Sequence, residues 1–449
     1  MKKTLIIVLL LGCALMTKAD ILTLDSCLKM AQQHNCTIQA ANLEVAMAEE
    51  VKKQVLWKFF PQVDITAFAV HGVNPLVRID LNYMNIGNLN DIFTELSTTV
   101  AEEYDGQKLQ SEIPLMQYLL VANAKAVQPV YWGGQIVNGN RLARLGIDAS
   151  KLKQEISERE LLQQVEENYW LISGLLDKRN TLSSGLALLD TIQRVAEIAF
   201  QGGVVSRNDL LRAQLAQAEL DTKALQLENG IHLASRALCQ LIGMDYSQEL
   251  EIERFNIEDS IPLILKLDTF TIDGRPETQL LEMQIKAEQL QKKITIGGTL
   301  PHVGIGMSGG YNNNANLSKA PGYWNFMGFG MVSIPITQWG ETSHKIREHN
   351  LRIARAQLQK QDLVGKLNLQ NEQAYNALTE SIRLMVQLQT SMKVADENYR
   401  IALLNYQAGA CTMTELLEAQ TLLLSAQNNY TDARISYRTA LRRFNDLNK

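Results

Sequence analysis

Two short patterns hold the side chains of this chain best placed to do chemistry: Ser206-x-x-Asp209 and Thr412-x-x-Glu415. A hydroxyl followed three residues later by a carboxylate is a capping box. The hydroxyl oxygen accepts from the N–H of the third residue on, and the carboxylate accepts from the N–H of the hydroxyl residue. That chemistry starts a helix; it does not turn over a substrate. The other reactive residue types are spaced for less. The six histidines are scattered, and His344 and His349, five apart, fall on different faces of a helix, which argues against a metal site. Cys27, Cys36, Cys239 and Cys411 have no metal-ligand spacing. Cys27 and Cys36 can bridge only if the chain turns near His34-Asn35, because one helix through both would hold them ~13 Å apart; free thiols are expected. Nucleophile elbow, phosphate loop and HExxH are all missing. The reading is a protein that is not an enzyme, with no catalytic residue, no cofactor and no metal.

The elements that carry the two patterns follow from proline. All nine prolines fall between Pro61 and Pro129 or between Pro262 and Pro335. Proline breaks helix interiors, so residues 130–261 and 336–449 are free to form long helices and the two windows are not. The arrangement repeats. An offset of 206 places Pro129 on Pro335, Gly134 on Gly340, Tyr169 on Tyr375, Gly203 on Gly409 and Asp209 on Glu415. An offset of 240 places Gln39 on Gln279, Pro61 on Pro301 and Ile65 on Ile305. The chain is an internal duplication of helix, strand-rich segment, long helix, turn and helix. The first half carries about 34 extra residues between Pro61 and Pro129.

In each half the long helix before the turn spans about 65 residues, hence ~100 Å at 1.5 Å per residue. Apolar positions Leu378, Ile382, Met385, Leu388, Met392, Ala395, Tyr399 and Ala402 step by three and four, a coiled-coil seam. Leu162, Val165, Tyr169, Ile172 and Leu176 keep the same rhythm. The outward positions are rich in Gln, Asn, Ser and Thr, which fits both the wall of a water-filled tube and a solvated coiled coil. Gly203 and Gly409 suit the left-handed position that closes a helix, and the capping boxes then start the next one. Each half therefore holds a helical hairpin with a tight tip.

In the proline windows, Val63, Ile65, Ala67 and Ala69 alternate with polar residues. Val303, Ile305 and Met307 alternate with glycine and serine, and Met327, Phe329 and Met331 with glycine; residues 121–131 are the duplicate of 327–337. These are four strands of roughly 9–11 residues, the length that crosses a bilayer in a barrel. Tyr131-Trp132, Tyr323-Trp324 and Trp339 flank them. Four strands do not close a barrel, and lipid does not tolerate open edges, so a membrane barrel requires several chains. Within the extra segment, Val77-x-Ile79-x-Leu81-x-Tyr83 reads as a further hairpin or an external loop, and Asp91 to Tyr104 as a short helix.

Residues 1–19 read as a signal peptide: Lys2-Lys3, an apolar run from Leu5 to Met16, then Thr17-Lys18-Ala19. Leu10-Leu11-Gly12-Cys13 also resembles a lipoprotein box. Both mean export. Loss of Lys2, Lys3 and Lys18 takes the formal charge from −5 to −8, and no basic patch asks for nucleic acid.

With its signal peptide, the Leu22-Thr23-Leu24 start, the duplicated order and the tip motifs Phe200-Gln201-Gly202-Gly203…Asp209-Leu210 and Tyr406-Gln407-Ala408-Gly409…Glu415-Leu416-Leu417, the chain resembles the TolC-type outer membrane efflux protein family along essentially its whole mature length. The resemblance implies a mainly α fold with a small β membrane part. Its duplicated long helical hairpins form an α-helical barrel, and four strands per chain enter a trimeric 12-stranded outer-membrane β-barrel. It implies a homotrimer in the outer membrane of a Gram-negative bacterium, surrounded there by lipid, with its helical part in the periplasm. The function implied is a passive exit duct of a tripartite efflux or secretion system, with a periplasmic adaptor protein and an inner-membrane transporter as partners.

The same resemblance carries a periplasmic gate onto Asp209, Tyr406, Glu415 and Glu418, and adaptor-contacting tips onto Gly203, Val204, Val205, Ser206, Gly409, Ala410, Cys411 and Thr412. Where family members place a basic residue two after the second tip glycine, this chain has Cys411. Three copies of Glu415 and Glu418 at a constriction would repel one another and attract cations, so the gate implies cation-sensitive conductance. Beside it stands the plainer reading of Asp209 and Glu415 as helix caps, of Glu418 as an exposed helix acid, and of Tyr406 and Phe200 as packing under a turn. The expected organisation is signal peptide 1–19, N-terminal periplasmic helices 20–60, first β-barrel/loop segment 61–130, and first long helical hairpin with equatorial segment 131–264. The helix of the second repeat (265–300), the second β-barrel segment (301–336) and the second long helical hairpin (337–449) follow. The competing class is an exported coiled-coil envelope scaffold that is not a channel. A continuous outward apolar band on the strands separates the two, since a barrel needs it and a scaffold does not.

Overall fold

The computed structural model describes residues 22–74, 78–80, 112–114, 118–203, 205–246, 252–253, 274–313 and 322–447. The signal segment with Cys13, the candidate helix at Asp91 to Tyr104, Val204 and most of 247–273 lie outside them. Two compact units are present. One takes in residues up to 48, 147–285 and 355 onward; the other holds 49–146 and 286–354.

The first unit is helical. Helix α1 (Leu24–His34) starts on Thr23, whose side chain accepts from the Ser26 N–H. It ends at buried Asn35, in extended conformation. The Asn35 side chain then starts α2 (Cys36–Trp57), its Oδ1 accepting from the Thr37 N–H at 2.7 Å. So the chain does break between Cys27 and Cys36, and neither is nonetheless in a disulfide, nor are Cys239 and Cys411. The long helix α3 (Gln135–Gln201) runs 67 residues and is followed by α4 (Arg207–Ile242). The second half repeats this after α5 (Pro276–Gly297), with α6 (Trp339–Gln407) of 69 residues and α7 (Met413–Leu447). No helix among the described residues is long and apolar enough to cross a membrane.

The three-and-four rhythm becomes packing. Leu378, Met385 and Tyr399 are buried, and Ile382, Leu388, Met392, Ala395 and Ala402 half-buried. One cluster joins Cys27, Ala31, Val165, Tyr169, Ile172, Leu238 and Ile242. Within it the Tyr169 hydroxyl donates to the Glu253 carbonyl at 3.2 Å, and burial pushes its phenol up to about 12. A second cluster lies toward the tips, with Leu189, Ile192, Met413, Leu416 and Leu423. A third joins Leu378, Met385, Tyr437 and Phe444.

The second unit is built on one antiparallel sheet of β1 (Gln62–His71), β4 (Tyr118–Trp132), β5 (His302–Asn313) and β6 (Tyr323–Ser333), in that order. At 15 residues β4 exceeds the expected length, and its pairing with β5 shifts register between Pro129 and Tyr131, as at a β-bulge. A separate pair, β2 (Arg78–Asp80) with β3 (Glu112–Pro114), falls in the extra segment of the first half. The sheet's faces differ sharply. Three successive cross-strand rows on one face are Val63–Ala126–Met307–Gly328, Ile65–Ala124–Gly309–Phe326 and Ala67–Ala122–Tyr311–Trp324. They are apolar apart from the Tyr311 hydroxyl and the Trp324 indole N–H, and Ile65 and Phe326 are each 79 % exposed. Rows on the other face include Asp64–Lys125–Ser308–Met327 and Thr66–Asn123–Gly310–Asn325. The three rows form an exposed apolar band, while on the other face the polar rows are followed by Phe68–Val121–Asn312–Tyr323.

Where β4 leads into α3 and α5 leads toward β5, Gly133 and Gly297 touch through their backbones. A Cβ on Gly133 would sit 2.0 Å from the Gly297 carbonyl oxygen, and Gly133 has φ 59°. Nearby, His349 Nδ1 lies 3.1 Å from the Glu288 carboxylate and its Nε2 3.1 Å from the Thr295 hydroxyl.

Candidate functional site at the hairpin tips

Each tip is two motifs back to back. At the second, the Gly409 N–H donates to the Tyr406 carbonyl at 3.0 Å and the Ala410 N–H to the Asn405 carbonyl at 2.9 Å, with Gly409 at φ 73°. That pair of bonds is a Schellman closure, and it needs a left-handed residue. Gly203 has the same φ, and its N–H donates to the Phe200 carbonyl at 3.0 Å.

The next helix begins at once. Ser206 Oγ accepts from the Asp209 N–H at 3.3 Å, while Asp209 Oδ2 accepts from the Ser206 N–H at 3.1 Å and from its hydroxyl at 2.7 Å. The second tip repeats the device. Thr412 Oγ1 accepts from the Glu415 N–H at 3.3 Å, and Glu415 Oε2 accepts from the Thr412 N–H at 2.8 Å. The Thr412 N–H, with the Cys411 thiol and the Thr412 hydroxyl behind it, holds the Glu415 carboxyl below its ordinary value. Burial, then the Glu415 carboxylate, pushes the Cys411 thiol up.

The expected site residues therefore divide. Asp209 and Glu415 are engaged as caps; Glu418, one turn further on, stays exposed. Tyr406 is half-buried against the tip cluster, and among the described residues its hydroxyl is buried with no hydrogen-bond partner. Burial raises its phenol, and the Asp209 carboxylate adds to that rise, so Tyr406 and Asp209 sit within electrostatic reach across the two hairpins. Gly203, Ser206, Gly409, Ala410 and Thr412 are exposed, and Val205 and Cys411 half-buried.

Sequence reasoning missed Arg212. Its Nη1 donates to the Thr414 hydroxyl at 2.8 Å, a direct bond from the first hairpin to the second. The duplication marks the position without revealing its partner. The offset of 206 pairs Arg212 with Glu418, so the two halves carry opposite charge at one equivalent position. No group of three or more metal-ligating side chains occurs among the described residues. The tips offer rigid closures, two capped acids, one free acid and one cross-hairpin bond: the equipment of a contact and closure surface.

A family model described as "Outer membrane efflux protein" matches residues 27–244 and 272–447. The pyoverdine export outer membrane protein OpmQ of Pseudomonas aeruginosa is 23% identical over 346 residues, covering 74% of this chain and 70% of its own. Among solved structures, the Campylobacter jejuni outer membrane channel CmeC matches with a TM-score of 0.75 at 15% identity, over 94% of this chain and 85% of its own. The open state of the Neisseria gonorrhoeae channel MtrE matches at 0.71 with 16% identity, over 94% and 88%.

Proposed function

This chain belongs to the outer membrane efflux protein family, as the channel component of a tripartite efflux system in the outer membrane, and we propose that it acts as a homotrimer closed at its hairpin tips and docked there to a periplasmic adaptor, which links it to an inner-membrane transporter. Its work is transport, not catalysis. The observation that carries the trimer is the sheet. One face carries an apolar band, and among the described residues β1 and β6 end the sheet with unpaired edges. In a bilayer every backbone N–H and C=O must find a partner, and edges vanish only in a closed barrel. Pairing β1 of one copy with β6 of the next, three times, closes twelve strands. The apolar band is also what a soluble scaffold has no use for.

In this reading Asp209, Tyr406, Glu415 and Glu418 form the gate. Glu418 has its carboxylate free to face its copies, and Glu415 is fixed in direction by its cap. The segments Gly203 to Ser206 and Gly409 to Thr412 meet the adaptor, which suits their exposure and stiffness. The test is single-channel recording in a planar bilayer of protein purified from membranes, beside Glu415→Ala/Glu418→Ala. A trimer with small, cation-sensitive conductance that the variant alters supports channel and gate. Conductance untouched by the variant removes the gate assignment. A species without conductance overturns the duct.

A further inference from the structure

The four strands of the sheet contain one carboxylate, Asp64, and one lysine or arginine, Lys125, and the two stand directly opposite each other in the β1–β4 register. Both are exposed, and both lie on the face opposite the apolar rows. With the apolar face toward lipid, they lie on the wall of the passage.

Two neighbours set the base in place. Lys125 Nζ lies 5.5 Å from the ring centroid of Phe329, within cation–π reach. Phe329 pairs with Gly306 on the intervening strand β5. A Cβ on Gly306 would fall 2.5 Å from the ring's Cζ, so the ring lies across β5 in the space that glycine leaves. Phe329 is accordingly half-buried on a strand whose other residues are exposed. The aromatic ring reaches from β6 over β5 toward a lysine on β4.

We propose that Asp64 and Lys125 are a charge-balancing pair in the wall of the outer-membrane passage, with Phe329 as the residue that positions the Lys125 ammonium there. This inference rests on the channel reading above. A passage through low dielectric is sensitive to single fixed charges, and threefold repetition multiplies an imbalance. One positive charge facing one negative charge at the same level cancels that field. The strand segment then passes solutes of either sign, and discrimination is left to the tips and to the transporter.

The experiment is the reversal potential across a potassium chloride gradient in a planar bilayer. All variants are made in a Glu415→Gln/Glu418→Gln parent, so that the tip acids do not set the selectivity. Lys125→Met is expected to raise the potassium-to-chloride permeability ratio about twofold or more, and Asp64→Asn to lower it by a similar factor. Asp64→Asn/Lys125→Met and the exchanged pair Asp64→Lys/Lys125→Asp are both expected to return to the parent value. The exchanged pair keeps both charges on the wall and guards against a folding effect of charge loss. Single variants that leave the potential unmoved, or that move it in the same direction, overturn the pair while the channel stands. A parent without current overturns the channel reading and the pair with it.

Discussion

Gln420 and Gly185 are joined by a buried hydrogen bond: Gln420 Nε2 donates to the Gly185 carbonyl at 3.0 Å, from α7 to α3. Gln420 is 3 % exposed, whereas its duplicate in the first half, Gln214, faces solvent. The two halves share an architecture, yet one glutamine crosses between hairpins and the other does not. Gln420→Ala removes the donor and leaves space beside Leu424, so it is expected to cost about 1–3 kcal/mol. Gln214→Ala is expected to stay within about 0.5 kcal/mol. Chemical unfolding of the two variants in parallel checks the difference.

The capping boxes separate structure from gating. Thr412→Ala removes the hydroxyl that accepts from the Glu415 N–H, and is expected to destabilise the start of α7 by about 0.5–2 kcal/mol. Glu415→Gln keeps an N3 side chain able to cap but removes its charge. A conductance change in Glu415→Gln without loss of melting temperature would assign the effect to charge; the same change in Thr412→Ala would assign it to the cap.

Acid acts on the second tip in a fixed direction. The folded Glu415 carboxyl lies below its ordinary value of 4.5, so its cap contributes stability that is complete above that pH and is lost as pH falls through the folded value. Protection of the tip amides, measured by hydrogen exchange and corrected for the intrinsic rate, is expected to fall below about pH 4.5 in the parent. Glu415→Gln should show no such step.

Arg212 is the tie between hairpins that the tip itself supplies. Arg212→Ala and Thr414→Val each break the 2.8 Å bond. Under the proposed gate, either is expected to raise the mean conductance or the frequency of opening, and the double variant should add little to either single. Fully additive effects would mean that the two side chains act separately.

The junction in the second unit tolerates no side chain. Gly133→Ala places a Cβ 2.0 Å from the Gly297 carbonyl oxygen at a positive φ, and Gly297→Ala meets the Gly133 carbonyl oxygen at 2.4 Å. A left-handed alanine alone costs about 1–2 kcal/mol before the clash is counted. Both variants are expected to lower the yield of folded protein from membranes, while Gly146→Ala, with open space around its Cβ position, should not.

Most of the fold was legible because it rests on local rules applied twice. Proline placement marked the helices, the steps from Leu378 to Ala402 marked the buried seam, and the alternation from Val63 to Ala69 marked β1. What was not legible depends on partners distant in sequence. The β1–β4 and β4–β5 pairings, the Asp64–Lys125 register and the approach of Phe329 to Lys125 all require strands some sixty or more residues apart to meet. At the tips, Ser206, Asp209, Thr412 and Glu415 declared their capping by spacing. Arg212 did not, because its partner Thr414 lies 202 residues away and shares no motif with it.

The four cysteines among the described residues give a way to watch the tips move. Cys27 and Cys239 are buried, and Cys36 is separate and replaceable by serine. That leaves Cys411, half-buried beside the Gly409 closure, as a native attachment point for a fluorophore or spin label. Because its thiol is raised by burial and by Glu415, labelling calls for mildly alkaline buffer. Distances between copies could then be followed by spectroscopy, with the helix-starting Thr412 and Glu415 left intact.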